Sequence, residues 1–365
     1  QRKIRVESEI EFAYHLARSP IFAVTGTNGK TTTTMLLGRL LKTVYPVVGI
    51  GGNIGVALSE EAVRVGAGGA IAAEISSYQL EATEDFRPKI AAILNVTPDH
   101  VTRHGSLAVY QKMKEKLFSC QTQDDFLVLN YDNLPTRGMA ERAPSTVCFF
   151  SRREKLEAGA FLEDGWLVMR WQGVTHRLLS VRELKLRGGH NVENALAASA
   201  MAFLAGAAPA KIAPVLRDFS GVEHRIEPVA KVNGVMYYND SKATNTDSAV
   251  KALDSFPGEP IVLIAGGEDK MTDLTAFMKL VKDRCAALIL LGAAAARFRA
   301  AALDAGVPAE QIHRASYHME EAVRIAHELA APPQTVLLSP ACASFDMYGG
   351  YEERGRDFKR IVNEL

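Results

Sequence analysis

Residues Ile21-Phe22-Ala23 run directly into Val24-Thr25-Gly26-Thr27-Asn28-Gly29-Lys30-Thr31-Thr32, and a helical pattern of Met35, Leu36, Leu37, Leu40 and Leu41 follows. The order is strand, glycine turn, helix. Such a turn aims backbone N–H groups and a helix N-terminus at one point, which suits an anion. Lys30 then reaches phosphate oxygens, and the Thr31 hydroxyl can ligate magnesium. The full phosphate-loop pattern has glycine where Val24 stands. No G-x-G-x-x-G opens the helix, so a dinucleotide site is the weaker reading. The expected ligand is a nucleoside triphosphate.

The rest of the chain reads as α/β, with a mainly parallel sheet. Expected strands are 21–25, 70–74, 90–96 and 126–130, then a more antiparallel stretch at 146–150, 161–170 and 174–179, with a turn at Asp164-Gly165. An alanine-rich helix is expected over 191–205, and an amphipathic helix before Ser19. Beyond Phe219-Ser220-Gly221 the alternation restarts, with strands expected at 236–239, 261–265, 288–291 and 336–339. The expected domains are 1–220, a P-loop unit, and 221–365, a smaller Rossmann-like unit.

Bulk properties exclude several classes. Lysine plus arginine and aspartate plus glutamate both number 42 among 365 residues, so no global basic field points to nucleic acid. The apolar run 285–296 is too short to span a bilayer and reads as a buried strand entering a helix. Cys120, Cys148, Cys285 and Cys342 form no C-x-x-C pair. Scattered thiols fit a reducing cytoplasm. The expectation is a cytoplasmic monomer acting on small molecules, without membrane insertion. Gln1 is not an initiator methionine, and a segment before it is expected to be absent.

Glu74 ends an apolar run, Ala70-Ile71-Ala72-Ala73, where such folds place a magnesium carboxylate. Ser76-Ser77-Tyr78-Gln79 after it has the polarity of a site loop. Asn95-Val96-Thr97-Pro98-Asp99-His100 repeats strand then polar turn, and His100 is either a metal or phosphate ligand or a satisfied turn histidine. The segment Tyr110–Lys116 reads by composition as a solvated helix face. In the second unit, Asn239–Asn245, Gly266–Lys270 and Ser339–Ser344 each follow a strand and should converge on one crevice. Their lysines and hydroxyls suit a carboxylate-bearing substrate. His190-Asn191, Asn194 and His224-Arg225 lie near the boundary and suit a nucleotide.

Gly26–Thr32, Gly51-Gly52-Asn53-Ile54-Gly55, Glu74-Ile75-Ser76-Ser77, Asn95–His100 and Gly189-His190-Asn191 together resemble the Mur ligase family. Asn239–Asn245 and Leu338–Asp346 resemble its members that add glutamate. The family fold has three domains, and this chain resembles the central and C-terminal two. The resemblance implies that ATP phosphorylates the terminal carboxylate of UDP-N-acetylmuramoyl-L-alanine and that the amine of D-glutamate displaces phosphate, in peptidoglycan precursor synthesis. Catalysis is then positioning plus charge neutralisation.

Residue by residue, the resemblance implies the following roles. Gly26, Asn28, Gly29, Lys30, Thr31 and Thr32 cradle ATP, with Asn191, Asn194, Arg225 and Asp240 completing the nucleotide site. Thr31 and Glu74 hold one magnesium ion, and His100 a second. Lys114 matches the family lysine that becomes an N-carboxylated carbamate, which overrides the solvated-face reading. Lys30, His100, Lys114 and Arg225 are the expected catalytic groups. Asn53 lies near the muramoyl substrate, and Lys242, Thr244, Lys270, Ser344 and Tyr351 hold the glutamate. The alternatives are another Mur-type or folylpolyglutamate-synthetase-like ligase, a nucleotide switch, and a nucleotide-binding fragment without activity. A GTPase would show Asn-Lys-x-Asp, which is lacking.

Overall fold

The computed structural model describes residues 6–97 and 105–365. The chain divides into two compact units, Gln1–Phe219 and Ser220–Leu365. No helix among the described residues is long and apolar enough to cross a membrane.

In the first unit, the sheet built from described residues runs in the order β2 (Val48–Gly52), β3 (Ala70–Glu74), β1 (Ile21–Thr25), β4 (Ile90–Ile93), β5 (Phe126–Asn130), β6 (Thr146–Ser151), β7 (Gly159–Glu163), β8 (Trp166–Trp171) and β9 (Val174–Ser180). All pairings from β2 to β7 are parallel, and only β7–β8 and β8–β9 are antiparallel. The expectation for 146–150 is thus corrected: that strand continues the parallel sheet, and the antiparallel meander begins one strand later. Asp164 and Gly165 both have positive φ, 51° and 77°, and turn β7 into β8. Every residue of β1, β3 and β4 is buried, the pattern of a parallel sheet covered on both faces.

The helix Lys30–Leu41 packs against the helix Gly189–Leu204. The latter buries Ala195, Ala197, Ala198, Ala200 and Ala202, small side chains that let the backbones approach. β4 stops at Ile93, three residues short of the expected end, and the following residues leave the ladder to serve the glycine turn. β2 escaped the sequence reading because three of its five residues are glycines, which weaken a strand pattern.

The second unit is a sheet in the order β10 (Glu227–Val232), β11 (Val235–Asn239), β15 (Thr335–Leu338), β12 (Ile261–Gly266), β13 (Cys285–Leu291) and β14 (Ile312–Arg314). Only β10 is antiparallel to its neighbour. Alternate residues feed opposite cores. Leu263, Leu288, Leu290 and Leu337 enter one, while Val262, Ile264, Ile289 and Val336 enter the other. The edge strands β10 and β14 are partly exposed and mixed in composition, so periodicity did not reveal them. Because β11, β15 and β12 are parallel neighbours, the loops leaving their C-termini emerge side by side.

Candidate active site

The glycine turn of the first unit is held from three directions. Thr27 N–H donates to the Asn95 carbonyl at 2.9 Å. The Asn95 side chain accepts from Asn28 N–H at 2.9 Å and donates to the Asn28 carbonyl at 3.1 Å. The Thr27 hydroxyl accepts from Thr97 N–H at 3.1 Å and lies 3.4 Å from the Tyr110 hydroxyl. Asn95 thus mimics a backbone strand for the turn, a role unassigned from sequence. Its one prior signal was a polar residue directly after an apolar strand.

Lys30 opens its helix and folds back over the turn, donating to the carbonyls of Gly26 at 2.9 Å and Thr27 at 3.0 Å. Lys114, in the helix Leu107–Glu115, reaches the same Gly26 carbonyl at 3.0 Å. It is 1 % exposed, and its ammonium sits 4.4 Å from the Tyr110 ring centroid. The solvated-face reading fails on this side of the helix. Tyr110 and Lys114 are spaced by four and share the buried face.

Glu74 stands at the end of β3, in register with Val24 of β1, and is 2 % exposed. One carboxylate oxygen accepts from the Asn53 side chain at 2.8 Å. The other is buried with no hydrogen-bond partner among the described residues. An ionised oxygen in that state is costly unless a cation satisfies it. With the half-buried Thr31 in the first turn of the adjacent helix, the donor set fits magnesium. Asn53 orients Glu74, which adds a function to the substrate contact expected of it.

Asn191 and Asn194 are buried in the first turns of the helix Gly189–Leu204, and the Asn194 amide donates to the Asn191 side-chain oxygen at 3.1 Å. The Asn194 side chain closes on Gly29, whose φ is 86° and whose α-hydrogen faces the Asn194 oxygen where a Cβ would clash. Thr32 is buried. His100 lies outside the described residues. A separate group with metal-ligand potential, Glu11, His15 and Asp85, is also in this unit. There, the buried Glu11 carboxylate accepts from Asp85 N–H and Phe86 N–H.

In the second unit the three loops after β11, β15 and β12 are tied together. Asp240 is fully buried, accepting from Ile226 N–H at 3.2 Å and the Ser339 hydroxyl at 2.8 Å. Burial pushes its carboxyl up to about 6, against the pull of Arg225. Glu268 N–H donates to the Ala343 carbonyl at 3.0 Å, joining the Lys270 loop to the Ser344 loop. The Lys242 ammonium lies 5.4 Å from the Tyr351 ring centroid. Ser344 is buried, Thr244 partly so, and Lys270 is exposed. Cys342, beside them, is held as a thiol by burial, its pKa pushed up to about 12.

Arg225 is half-buried in this unit, next to His224. His224 has φ 66° and is buried against Asn239, 2.9 Å away. Its backbone N–H donates to the Glu227 carboxylate at 2.9 Å, and its ring meets the Tyr351 ring edge-on. Burial lowers the imidazole pKa, favouring the neutral ring.

A phosphate-type glycine turn with a buried, half-satisfied carboxylate at the next strand end defines a P-loop nucleotide-binding protein. The matches to known proteins narrow the class. The Mur ligase middle domain matches residues 24–202, and the Mur ligase glutamate ligase domain matches residues 224–342. The chain belongs to the Mur ligase family, ATP-dependent amide ligases that use magnesium. It is 45% identical over 365 residues to a UDP-N-acetylmuramoylalanine–D-glutamate ligase of Thermoanaerobacter pseudethanolicus, covering 100% of this chain and 80% of the relative. It is 47% identical over 362 residues to the protein of that name from Pelotomaculum thermopropionicum, covering 99% and 79%. A crystal structure of MurF from Acinetobacter baumannii shares the fold, with TM-score 0.70 at 18% identity over 97% of this chain and 79% of that one.

Proposed function

We propose that the chain joins D-glutamate to UDP-N-acetylmuramoyl-L-alanine through an acyl phosphate, at the cost of ATP. The observation that carries the reading is the 45% identity, over the whole chain, to ligases of that name. The chemistry of the loops is consistent with it. Lys30 and the N–H groups of the glycine turn bind the phosphate chain, and the Lys30 ammonium offsets charge as the γ-phosphoryl moves to the substrate carboxylate. Thr31 and Glu74 would hold magnesium, which would supply Lewis-acid neutralisation of phosphate oxygens. Asn191, Asn194, Arg225 and Asp240 are the further residues assigned to the nucleotide.

Lys242, Thr244, Lys270, Ser344 and Tyr351 form the amino-acid site. The lysines bind carboxylates, and the amine attacks the acyl phosphate, forming the C–N bond as the C–O bond to phosphate breaks and the amine loses a proton. Lys114 takes up CO2 as a carbamate, with loss of two protons in all: one leaves the ammonium to free the amine, and one leaves as the N–C bond forms. That exchange replaces a cation beside Lys30 with an anion that, together with His100, would hold a second magnesium ion. The protein works on small molecules as a cytoplasmic monomer. Its cysteines are all unpaired thiols, three of them buried, as suits a reducing compartment.

The test is phosphate release by the full-length protein. Release requiring ATP, the UDP-muramoyl-alanine and D-glutamate together is the expected result. Turnover with another amino acid in preference to D-glutamate, or no amide product, overturns the reading.

A further inference from the structure

The first turn of the helix Tyr351–Asn363 carries Arg354, which is fully buried. Its guanidinium makes four hydrogen bonds. Nε donates to the Ser241 hydroxyl at 3.0 Å, and one Nη2 bond goes to the Ser241 carbonyl at 2.8 Å. Nη2 also donates to the Cys342 carbonyl at 3.1 Å, and Nη1 to the Ala343 carbonyl at 3.0 Å. All four acceptors are neutral, and no carboxylate among the described residues forms an ion pair with it. Burial pulls its pKa down to about 10. A buried guanidinium without a carboxylate is a costly way to stabilise a fold. What it provides is geometry: a rigid planar fork that fixes its acceptors at set spacings.

The acceptors are informative. Ser241 precedes Lys242, and Ala343 precedes Ser344. The Ala343 carbonyl also accepts from Glu268 N–H, in the loop that carries Lys270. Ser241 is gripped twice by the same helical turn, because its hydroxyl donates to the Tyr351 carbonyl at 2.7 Å. One side chain therefore ties two loops from separate strands directly, and a third through the Ala343 carbonyl it shares with Glu268 N–H. We propose that Arg354 is a positioning residue for the carboxylate-bearing amino acid, acting through Lys242 and Ser344 without touching the substrate. This rests on reading those loops as the amino-acid site.

The experiment compares Arg354→Lys, Ser241→Ala and Lys242→Ala in the full-length protein by amino-acid-dependent phosphate release, with thermal unfolding alongside. Arg354→Lys keeps the charge and loses the fork. It is expected to raise KM for D-glutamate about tenfold while KM for ATP stays within about twofold, because only the spacing of one subsite changes. Ser241→Ala, which removes the shared hydroxyl, raises the same KM by a smaller factor. If Arg354→Lys does not fold, Ser241→Ala decides. An unchanged D-glutamate KM in both variants, with Lys242→Ala raising it, overturns the positioning role. A parallel rise in both KM values makes Arg354 merely structural and also overturns it. An unchanged KM in Lys242→Ala instead overturns the assignment of the amino-acid site.

Discussion

Lys30 and Lys114, 84 positions apart in the chain, donate to one acceptor, the Gly26 carbonyl, at 2.9 and 3.0 Å. Two ammonium groups on a single carbonyl repel each other, and on the same helix face the Tyr110 hydroxyl lies 3.4 Å from the Thr27 hydroxyl of the turn. The arrangement places the second lysine where its chemistry, rather than its bulk, matters. Replacing Lys114 with methionine keeps the buried stem and removes the amine. Turnover should fall at least about a hundredfold, with the fold retained, since general charge stabilisation of this kind contributes several kcal/mol. Carbon-13 NMR after labelling with bicarbonate should show a carbamate signal in the parent protein and none in Lys114→Met. A parent protein without the signal would remove the carbamate from the scheme.

Glu74 offers a separate test, because one of its carboxylate oxygens has no hydrogen-bond partner among the described residues. Glu74→Gln preserves an acceptor for Asn53 and cancels the charge. The thermal midpoint should change little or rise, since an uncompensated buried charge is removed. The magnesium concentration for half-maximal rate should climb about tenfold or more, as one charged ligand is lost. A magnesium dependence identical to the parent would show that Glu74 is not a ligand.

Gly29 caps the nucleotide helix with φ 86° and has no room for a side chain against Asn194. Gly29→Ala should destabilise the first unit by roughly 1–3 kcal/mol through backbone strain and crowding. It should also weaken ATP binding measured by calorimetry, because the turn's N–H groups lose their aim. Asn194→Ala in the same background should recover part of the stability and none of the affinity.

Asp240 predicts a pH dependence. Its folded pKa, about 6, exceeds the ordinary 3.8, so between those values the folded state binds a proton that the unfolded state has released. The stability this proton supplies is present below pH 3.8 and is lost as pH rises through 6. The span corresponds to roughly 3 kcal/mol at most. Asp240→Asn keeps the contacts to Ile226 and Ser339 and should flatten the urea-denaturation stability between pH 4.5 and 7. An unchanged slope would show that Asp240 is ionised at little cost in the fold.

Much of this architecture is legible in the chain. The order apolar run, Gly26–Gly29, Lys30 dictates strand, turn and helix, because only glycine tolerates the positive φ that the turn demands. The runs at 70–73, 126–129 and 261–265 are apolar throughout, as befits strands covered on both faces. Other features were hidden for stated reasons. β2 is mostly glycine, β10 and β14 are edge strands with exposed polar positions, and Thr146–Ser151 carries no local mark of its parallel pairing. Composition misread Tyr110–Lys116, because four charged or amide residues there mask one buried stripe.

The sequence by itself determined the nucleotide loop, the two α/β units and, through its motifs, the family, since these depend on local backbone preference and on residue identity. Only the tertiary structure decided which residues serve them. That Lys114 shares a carbonyl with Lys30, that Asn95 braces Asn28, that Asn53 steers Glu74 and that Arg354 ties Ser241 to Ala343 all follow from strand order and register. Those relations join positions 21 to 113 residues apart. No local propensity encodes them, because they exist only once parallel strands have set their ends side by side.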